Sequence, residues 1–323
     1  MKRVLMFGLT GFAICALVAP PPVAGQEEEI GTGQRRVGRA VLSVLKVGQG
    51  ARAAGMGGSY VAIADDINTI FVNPAGLTHI ERAEYAFSYT RWLVDSGFYS
   101  GAVAYNIERG VLGLSVFAHS PPKMMETTIF QPLGTGRELD AGDVSIGLTF
   151  ARKLTDRLSF GVQVRWTQET LDVDRISAVD VNLGTMFYTG YRSLRLGMTF
   201  LNLGKDQKIL ETEYHLPVAF NLATAMEVIG NKGDQTYITA TFENYFATDF
   251  AEPQYRLGGE LWLQNTVALR GGYQINSDLE TFSMGAGVKF QPVEGREIRA
   301  DFSYSDYGRF FDAPLRFSLS GSF

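Results

Sequence analysis

Two adjacent carboxylates, Asp65 and Asp66, are the side chains of this chain whose type and spacing best suit chemistry. Paired carboxylates can bind a metal ion or work as a general acid and base. Adjacent aspartates in a turn more often cap a helix or accept hydrogen bonds from backbone N–H groups, and they can also pair with arginine. The pattern leaves these alternatives open.

The carboxylates follow a glycine-rich run that contains Gly55, Gly57 and Gly58. Such glycines allow a close backbone approach or a positive φ, and Asn73-Pro74 downstream fits a turn. A phosphate-binding loop of the dinucleotide type needs a further glycine at position 60, which is tyrosine, and a buried strand ahead of it. The run therefore does not fit a phosphate cradle.

Other chemistry is poorly supported. His79, His119 and His215 occur singly, without the spacing of a metal site, and the only cysteine is Cys15. We therefore expect no metal, no cofactor and no disulfide. No motif supports a barrel enzyme such as a phospholipase or a protease, so we expect a protein that is not an enzyme.

The composition and the N-terminus indicate an exported protein. Residues 4–19 form an apolar run that follows Lys2 and Arg3 and precedes a proline-rich stretch ending in small residues. This pattern is typical of a signal peptide, here residues 1–25, and the run is short for a transmembrane helix. With a net charge of -5 and no basic stripe, the chain is a poor candidate for nucleic-acid binding.

Beyond the predicted signal peptide, apolar and polar residues alternate with a period of two. Leu158, Phe160 and Val162 share one parity, whereas Ser159 and Gly161 share the other. The same pattern recurs fourteen times, and strands of about ten residues suit a tilted membrane strand better than a soluble sheet. The predicted strands are residues 84–91, 98–107, 110–119, 142–152, 157–168, 178–189, 192–202, 216–229, 235–244, 254–263, 266–275, 280–291, 296–305 and 314–323.

Connection lengths support an outer-membrane barrel. Short turns alternate with long loops, as in barrels whose short turns and chain ends lie on the periplasmic side. The charged residues of the predicted strands share the parity opposite to the apolar one, which would direct them into the lumen. They include Arg165, Arg195, Arg256, Glu260 and Arg270. We therefore predict an all-β fold, a fourteen-stranded antiparallel transmembrane β-barrel, rather than a soluble sandwich.

The segment ahead of the strands carries a resemblance to a known family. Its motifs are Gly55-Met56-Gly57-Gly58, Ala64-Asp65-Asp66 and Asn73-Pro74-Ala75-Gly76, and the chain ends on an aromatic residue, Phe323. This set resembles the PorV/PorQ family, which is itself similar to the FadL-type fatty-acid channels. The aromatic end also resembles the signal that the barrel-assembly machinery recognises.

The resemblance implies a domain organisation. Residues 26–44 would be an N-terminal periplasmic segment, residues 45–83 a hatch inside the lumen, and residues 84–323 the barrel. A plug also has a physical reason, since fourteen strands enclose more space than side chains alone can fill. Inside such a plug, we expect Asp65 or Asp66 to pair with an inward arginine such as Arg165 or Arg256.

Two functions follow from the resemblance. A PorV-like protein would act in type IX secretion and bind or shuttle secreted cargo, whereas a FadL-like protein would carry fatty acids or other hydrophobic compounds passively across the outer membrane. The crowded inward charge favours the first function. Besides outer-membrane lipids, the expected partners are cargo or hydrophobic ligands, held by apolar residues of the outer loops: Met124, Met125, Ile129, Phe130, Phe310 and Phe311.

Overall fold

The computed structural model describes residues 40–209, 212–249, 252–277, 279–293, 296–309 and 311–323. The predicted signal peptide, residues 26–39 of the predicted periplasmic segment and Phe310 lie outside the described residues.

Fourteen of the described strands form one closed antiparallel barrel, in which each strand pairs with the barrel strands before and after it in sequence. The last strand pairs with the first, and Phe87 lies opposite Leu319. The predicted fold class is thereby confirmed. In chain order the strands are β1 Ala83–Arg91, β2 Gly97–Asn106, β3 Val111–Ser120, β4 Ala141–Lys153, β5 Leu158–Leu171, β6 Asp174–Tyr188, β7 Arg195–Gly204, β8 Ala219–Ile229, β9 Thr236–Ala247, β10 Gln254–Leu263, β11 Val267–Ile275, β12 Phe282–Val293, β13 Arg296–Ser305 and β14 Leu315–Ser322.

The alternation of the sequence becomes an apolar outside and a polar inside. On β4, Val144 and Leu148 are exposed on the outer face, whereas Ser145 and Thr149 are buried on the inner face. A soluble protein has the opposite arrangement, with polar residues outside and apolar residues inside. An apolar outside is expected where the outer face meets lipid. No helix in the described part of the chain is both long enough and apolar enough to cross a membrane.

Connections differ in length at the two ends of the barrel. We call the end with the long loops the outer end and the end with the short turns and both barrel termini the inner end. Two outer loops contain a small hairpin each: Met124–Met125 pairs with Glu138–Leu139, and Gln207–Ile209 pairs with Thr212–Tyr214. The first outer loop holds a short 3-10 helix, Leu93–Asp95.

Residues 40–82, which we call the pre-barrel segment, lie inside the ring of strands. Pro74 lies beside Gly161 of β5, Val61 beside Gly197 of β7, and Gly55 beside Gly285 of β12, so the segment meets the wall on opposite sides. Its helix is α1, Ala51–Gly55, and its 3-10 helices are Ser43–Lys46, Ile67–Phe71 and Pro74–His79. The segment supplies most of the fully buried large side chains of the molecule.

The start of this segment corrects one prediction. Residues 40–44 were expected on the periplasmic side, but the Val41 N–H donates to the His215 carbonyl at 3.1 Å, and Leu42 donates to Glu169. Both acceptors lie at the outer end of the barrel. The apolar side chain of Leu42 explains this position, because it is buried against Ala178 and Leu216 there.

Candidate functional site

The Asp65-Asp66 pair lies in a turn of the pre-barrel segment. Asp66 is the N-cap of the 3-10 helix Ile67–Phe71, and its carboxylate accepts a hydrogen bond from the Asn68 N–H at 2.9 Å. The glycine run forms the preceding turn, where Gly57 and Gly58 have φ angles of +64° and +74°. These left-handed conformations let the chain leave α1 and return toward the aspartates.

Both carboxylates converge on Arg52, a buried side chain of α1. Its guanidinium donates to Asp65 Oδ1 at 2.5 Å and to Asp66 Oδ2 at 2.9 Å. Its other nitrogens form a two-point contact with Glu260 of β10, at 2.9 and 2.8 Å. One arginine thus joins three carboxylates, and one of the three belongs to the barrel wall.

Further ion pairs extend this contact along the wall. Arg270 of β11 bridges Glu260 at 2.7 Å and Asp301 of β13 at 2.6 Å. Arg299 donates to Asp66 at 3.0 Å, and Lys232 from an inner turn reaches Asp65 at 2.6 Å. Glu297 also contacts Arg299 at 2.8 Å and Lys289 at 3.8 Å. The resulting ionic network balances five cations with five carboxylates, as buried charges require. Its members are Arg52, Asp65, Asp66, Lys232, Glu260, Arg270, Lys289, Glu297, Arg299 and Asp301.

Electrostatics keep the centre of the network charged. Burial by itself raises the pKa of the Asp65 carboxyl, but the charges of Arg52 and Lys232 outweigh it and hold that pKa well below its ordinary value. Burial likewise lowers the pKa of Arg52, while Asp65 and Glu260 raise it, and the net result lies well above the usual value. The pair therefore remains ionised across the neutral and mildly acidic range.

The partners differ from those that the sequence predicted. Arg165 pairs with Asp180 at 2.9 Å and Arg256 with Glu243 at 3.2 Å, so neither arginine reaches Asp65 or Asp66. Each of these pairs joins residues directly opposite each other on adjacent strands, which places their side chains within reach. Arg195, another of the predicted inward charges, pairs with Glu227.

Arg52 was missed by reasoning from the sequence, although one signal was present. It is the single charged residue between Lys46 and Asp65. A lone arginine among small and apolar residues has to find a buried partner, and two carboxylates follow shortly after it. Lys232, in an inner turn, carried no such signal.

The other side of the pre-barrel segment is apolar. Ile67, Ile70 and Leu77 pack on small residues of the inner wall, among them Ala102 and Ala151. Glycines bring the wall close: a Cβ added at Gly161 would lie 2.3 Å from the Pro74 carbonyl carbon. Asn73 caps the following 3-10 helix and donates through its side-chain amide to the Thr185 carbonyl of β6 at 3.1 Å.

A cavity of about 410 Å³ lies between the pre-barrel segment and the outer end of the barrel, and we call it the outer cavity. Two of its arginines lie over aromatic rings: Arg256 stands 4.0 Å from the Tyr245 ring centre, and Arg316 stands 5.3 Å from that of Trp92. These contacts cover part of each charge with an apolar face. Its apolar lining comprises Leu45, Val47, Phe71, Trp92, Leu201 and Leu279.

A second cavity, the inner cavity, has a volume of about 450 Å³ and opens toward the inner end. Members of the ionic network line it, together with Glu84, Trp262 and Ser320. Charged side chains make up more of this lining than of the outer cavity's, where Lys46, Glu243, Arg256, Glu280 and Arg316 lie among aromatic and aliphatic groups. The pre-barrel segment separates the two.

The predicted rim residues lie on the outer loops but do not line the outer cavity. Ile129 and Phe130 at the tip of the long loop are almost fully exposed, and Met124, Met125 and Phe311 are about half exposed. A role for these residues in binding stays a prediction. Within the described ranges, no group of three or more histidine, cysteine, aspartate or glutamate residues could hold a metal ion.

Comparison with known families decides the relationship of this chain. The model of a family described as "Uncharacterised protein family (UPF0164)" matches residues 19–198, more than half of the chain. The chain belongs to the UPF0164 family. No curated protein matches the sequence of this UPF0164 member significantly.

Solved structures share the fold of the UPF0164 protein. The toluene transporter TodX of Pseudomonas putida superposes with a TM-score of 0.58 at 12% identity, over 85% of this chain and 97% of that one. The CymD monoaromatic hydrocarbon channel gives 0.56 at 13% identity, over 86% and 98%. A FadL homologue of Pseudomonas aeruginosa gives 0.51 at 12% identity, over 85% and 98%.

These likenesses show a common fold, the β-barrel of FadL-type outer-membrane channels. The broader part of the predicted resemblance is thereby supported. Nothing in the comparisons confirms the PorV/PorQ family in particular, and nothing supports a role in type IX secretion.

Proposed function

We propose that this UPF0164 protein is a passive outer-membrane channel for small hydrophobic compounds. The observation that carries the proposal is the outer cavity, a partly apolar chamber under the outer loops and above the pre-barrel segment. Its volume is of the size that binds small organic ligands. Aromatic and aliphatic side chains cover part of its lining, and polar groups such as Arg256 and Arg316 cover the rest. The protein is not an enzyme in this proposal.

Two proteins of the same fold are named for this class of substrate. One is a monoaromatic hydrocarbon channel and the other is a toluene transporter. Transfer of that substrate class to the present chain is part of the proposal. The pre-barrel segment then acts as the hatch, because it fills the lumen below the cavity and blocks a straight path.

The barrel wall beside the cavity contains a register irregularity. The ladder between β6 and β7 is interrupted between Val181 and Leu183, and Asn202 adopts a left-handed φ of +62° at this irregularity. Leu201 and Asn202 line the outer cavity. A wall with fewer backbone hydrogen bonds at this height opens at lower cost than an intact ladder, so we propose that compounds leave sideways here.

The charge pattern that favoured secretion has another explanation. Arg165, Arg195 and Arg270, three of the inward arginines, each pair with a carboxylate of the wall. Such charges hold the molecule together and do not present a surface for cargo. No observation on the described residues favours the secretion function over passage of hydrophobic compounds.

The fluorescence of Trp92, which lines the outer cavity, can report ligand binding. In a protein carrying Trp166→Phe and Trp262→Phe, Trp92 is the only tryptophan left. We expect saturable quenching of its fluorescence by a brominated alkyl benzene. Ala219→Phe, which fills part of the cavity, should abolish this quenching, whereas Ala240→Phe on the lipid-facing side of β9 should not.

Transport is tested with the same variants in proteoliposomes that contain the full chain. Toluene entry should exceed that of protein-free vesicles, fall for Ala219→Phe and stay normal for Ala240→Phe. Equal entry with and without protein, or equal quenching in both variants, would overturn the proposal. Co-purification of secreted proteins that share a C-terminal β-domain would favour the secretion function instead.

A further inference from the structure

A strip of hydroxyl side chains runs down the inner wall between the two cavities. We call it the hydroxyl strip; it lies on β12, β13, β14, β1 and β2. Strand pairing sets its levels: Ser88 lies opposite both Ser100 and Ser318, and Ser303 lies opposite Arg316. The strip comprises Ser88, Ser100, Ser283, Ser303, Ser318 and Ser320.

The strip runs from one cavity toward the other. Ser320 lines the inner cavity, and Arg316, which lies opposite Ser303 of the strip, lines the outer cavity. Arg316 and Ser320 are four residue steps apart on β14, which corresponds to roughly 13 Å. Ser318 lies midway, where its hydroxyl accepts from the Ala51 N–H at 2.8 Å and contacts the Ser88 hydroxyl at 2.8 Å.

Several polar groups along the strip lack a partner within the described residues. The hydroxyls of Ser100, Ser283 and Ser303 make no hydrogen bond, and neither does the amide nitrogen or oxygen of Asn68 on the facing segment. All four side chains are more than nine-tenths buried. Because buried polar groups are almost always hydrogen-bonded, these groups point to small polar molecules between segment and wall.

Deeply buried side chains of β4 and β5, outside the strip, are bonded differently. Gln163 of β5 donates to the Ile70 carbonyl and to Thr149, and Ser145 of β4 bonds to Thr167 at 2.8 Å. These inward side chains are buried as deeply as those of the strip. Unpartnered polar atoms do occur elsewhere on the wall, at Asp143, Asn221 and Thr224, but Ser145 is satisfied within the protein and gives a dry comparison.

We propose that the hydroxyl strip is a passage for water and small uncharged polar solutes, which joins the two cavities past the pre-barrel segment. Hydroxyls donate and accept, so they can replace the hydration of an uncharged solute. The charges near the inner mouth are paired with each other, and a dehydrated ion would pay the full cost of desolvation there. The passage therefore selects neutral solutes and goes beyond the proposed transport of hydrophobic compounds.

Cysteine accessibility tests whether the strip is wet. In a Cys15→Ala background no other cysteine is present. Ser303→Cys and Ser283→Cys place thiols on the strip, and Ser145→Cys places an equally buried thiol on β4, outside the strip. We expect a small methanethiosulfonate reagent to modify the two strip thiols at least about tenfold faster, since reaction requires a hydrated thiolate. Equal rates for all three variants would overturn the proposal.

Permeation tests whether the wet strip conducts. Proteoliposomes of the full chain should show faster urea entry by stopped-flow light scattering than protein-free vesicles. Modification of Ser303→Cys should abolish the excess, while the same treatment of Ser145→Cys should leave it intact. Urea entry no faster than that of empty vesicles, or an excess that survives modification of Ser303→Cys, would overturn the passage. Toluene entry, measured in parallel, reports separately on the proposed hydrophobic function.

Discussion

The pre-barrel segment meets the barrel through two unlike surfaces. On the ionic flank, Arg52 and its aspartates contact charged residues of β10 and β13. On the apolar flank, the stretch Ile67–Ile80 packs on alanines and glycines of β1 to β6. The first surface is built from long charged side chains, and the second from large side chains of the segment against small ones of the wall.

The two flanks together explain how one short segment is held both firmly and in one position. Apolar packing supplies attraction but tolerates small shifts, because it is not directional. A buried ionic network tolerates none, since every displaced charge loses its partner in a medium of low polarity. The ionic flank therefore sets the position of the segment, and the apolar flank supplies adhesion.

The largest effect is expected on the ionic flank. Arg52→Met leaves Asp65, Asp66 and Glu260 without their common partner, which should cost about 3 to 5 kcal/mol of unfolding free energy. Urea unfolding followed by heat-modifiable gel mobility, together with trypsin cleavage after Lys46, would measure it. Arg152→Met, an exposed arginine on β4, is the control and should change little.

Removal of a large side chain from the apolar flank should act more weakly. Leu77→Ala opens a cavity against Gly113 and should cost about 3 kcal/mol. Unlike Arg52→Met, it should keep the segment resistant to trypsin until the whole barrel unfolds. The control is Leu148→Ala on the lipid-facing side. Cleavage of the segment ahead of unfolding in Leu77→Ala would contradict the division of roles between the flanks.

Adding a methyl group to the wall tests how closely the pre-barrel segment packs against it on the apolar flank. Gly161→Ala places a Cβ against the backbone of Pro74 and should cost about 1 to 3 kcal/mol, because the segment has to move. Gly271→Ala has no atom within 4 Å of the added group and serves as the matched control. Equal stability of the two variants would show that the contact at Gly161 is looser than the structure describes.

The smallest expected effect is that of acid on the stability contributed by the ionic flank. The pKa of Asp65 is depressed in the folded state, so its contribution is complete above the unfolded pKa of about 4 and declines as the pH falls toward the folded pKa. Asp65→Asn should cost about 1.5 kcal/mol at pH 7 and equally at pH 5. Below about pH 4 the difference in unfolding free energy between Asp65→Asn and the native chain should narrow. A gap that already closes between pH 7 and pH 5 would contradict a depressed pKa.

The strand pattern could be predicted in detail because it is local. All fourteen predicted strands overlap observed ones, and the largest shift of a strand start is at β6, predicted from residue 178 and observed from Asp174. There the two-residue turn at Asp172 and Val173 lets the strands pair right up to Leu171 and Asp174. That extension has no apolar alternation of its own, since Asp174 and Arg175 follow each other.

The candidate site was only partly predictable. Asp65 and Asp66 do lie in one turn, and Asp66 does cap a 3-10 helix and pair with an inward arginine. Which arginine it pairs with depends on where the segment lies along the barrel axis. Neighbouring residues in the chain carry no information about that depth, so Arg165 and Arg256 were wrong partners.

By itself, the sequence determined the number of strands, the face that each residue occupies and the existence of a separate segment before them, because a period of two is written into neighbouring residues. Only the tertiary structure decided the ionic partners, the two cavities and the hydroxyl strip. These features depend on strand register and on the depth of the pre-barrel segment in the lumen. Register and depth arise from contacts between residues that can lie more than two hundred positions apart in the chain.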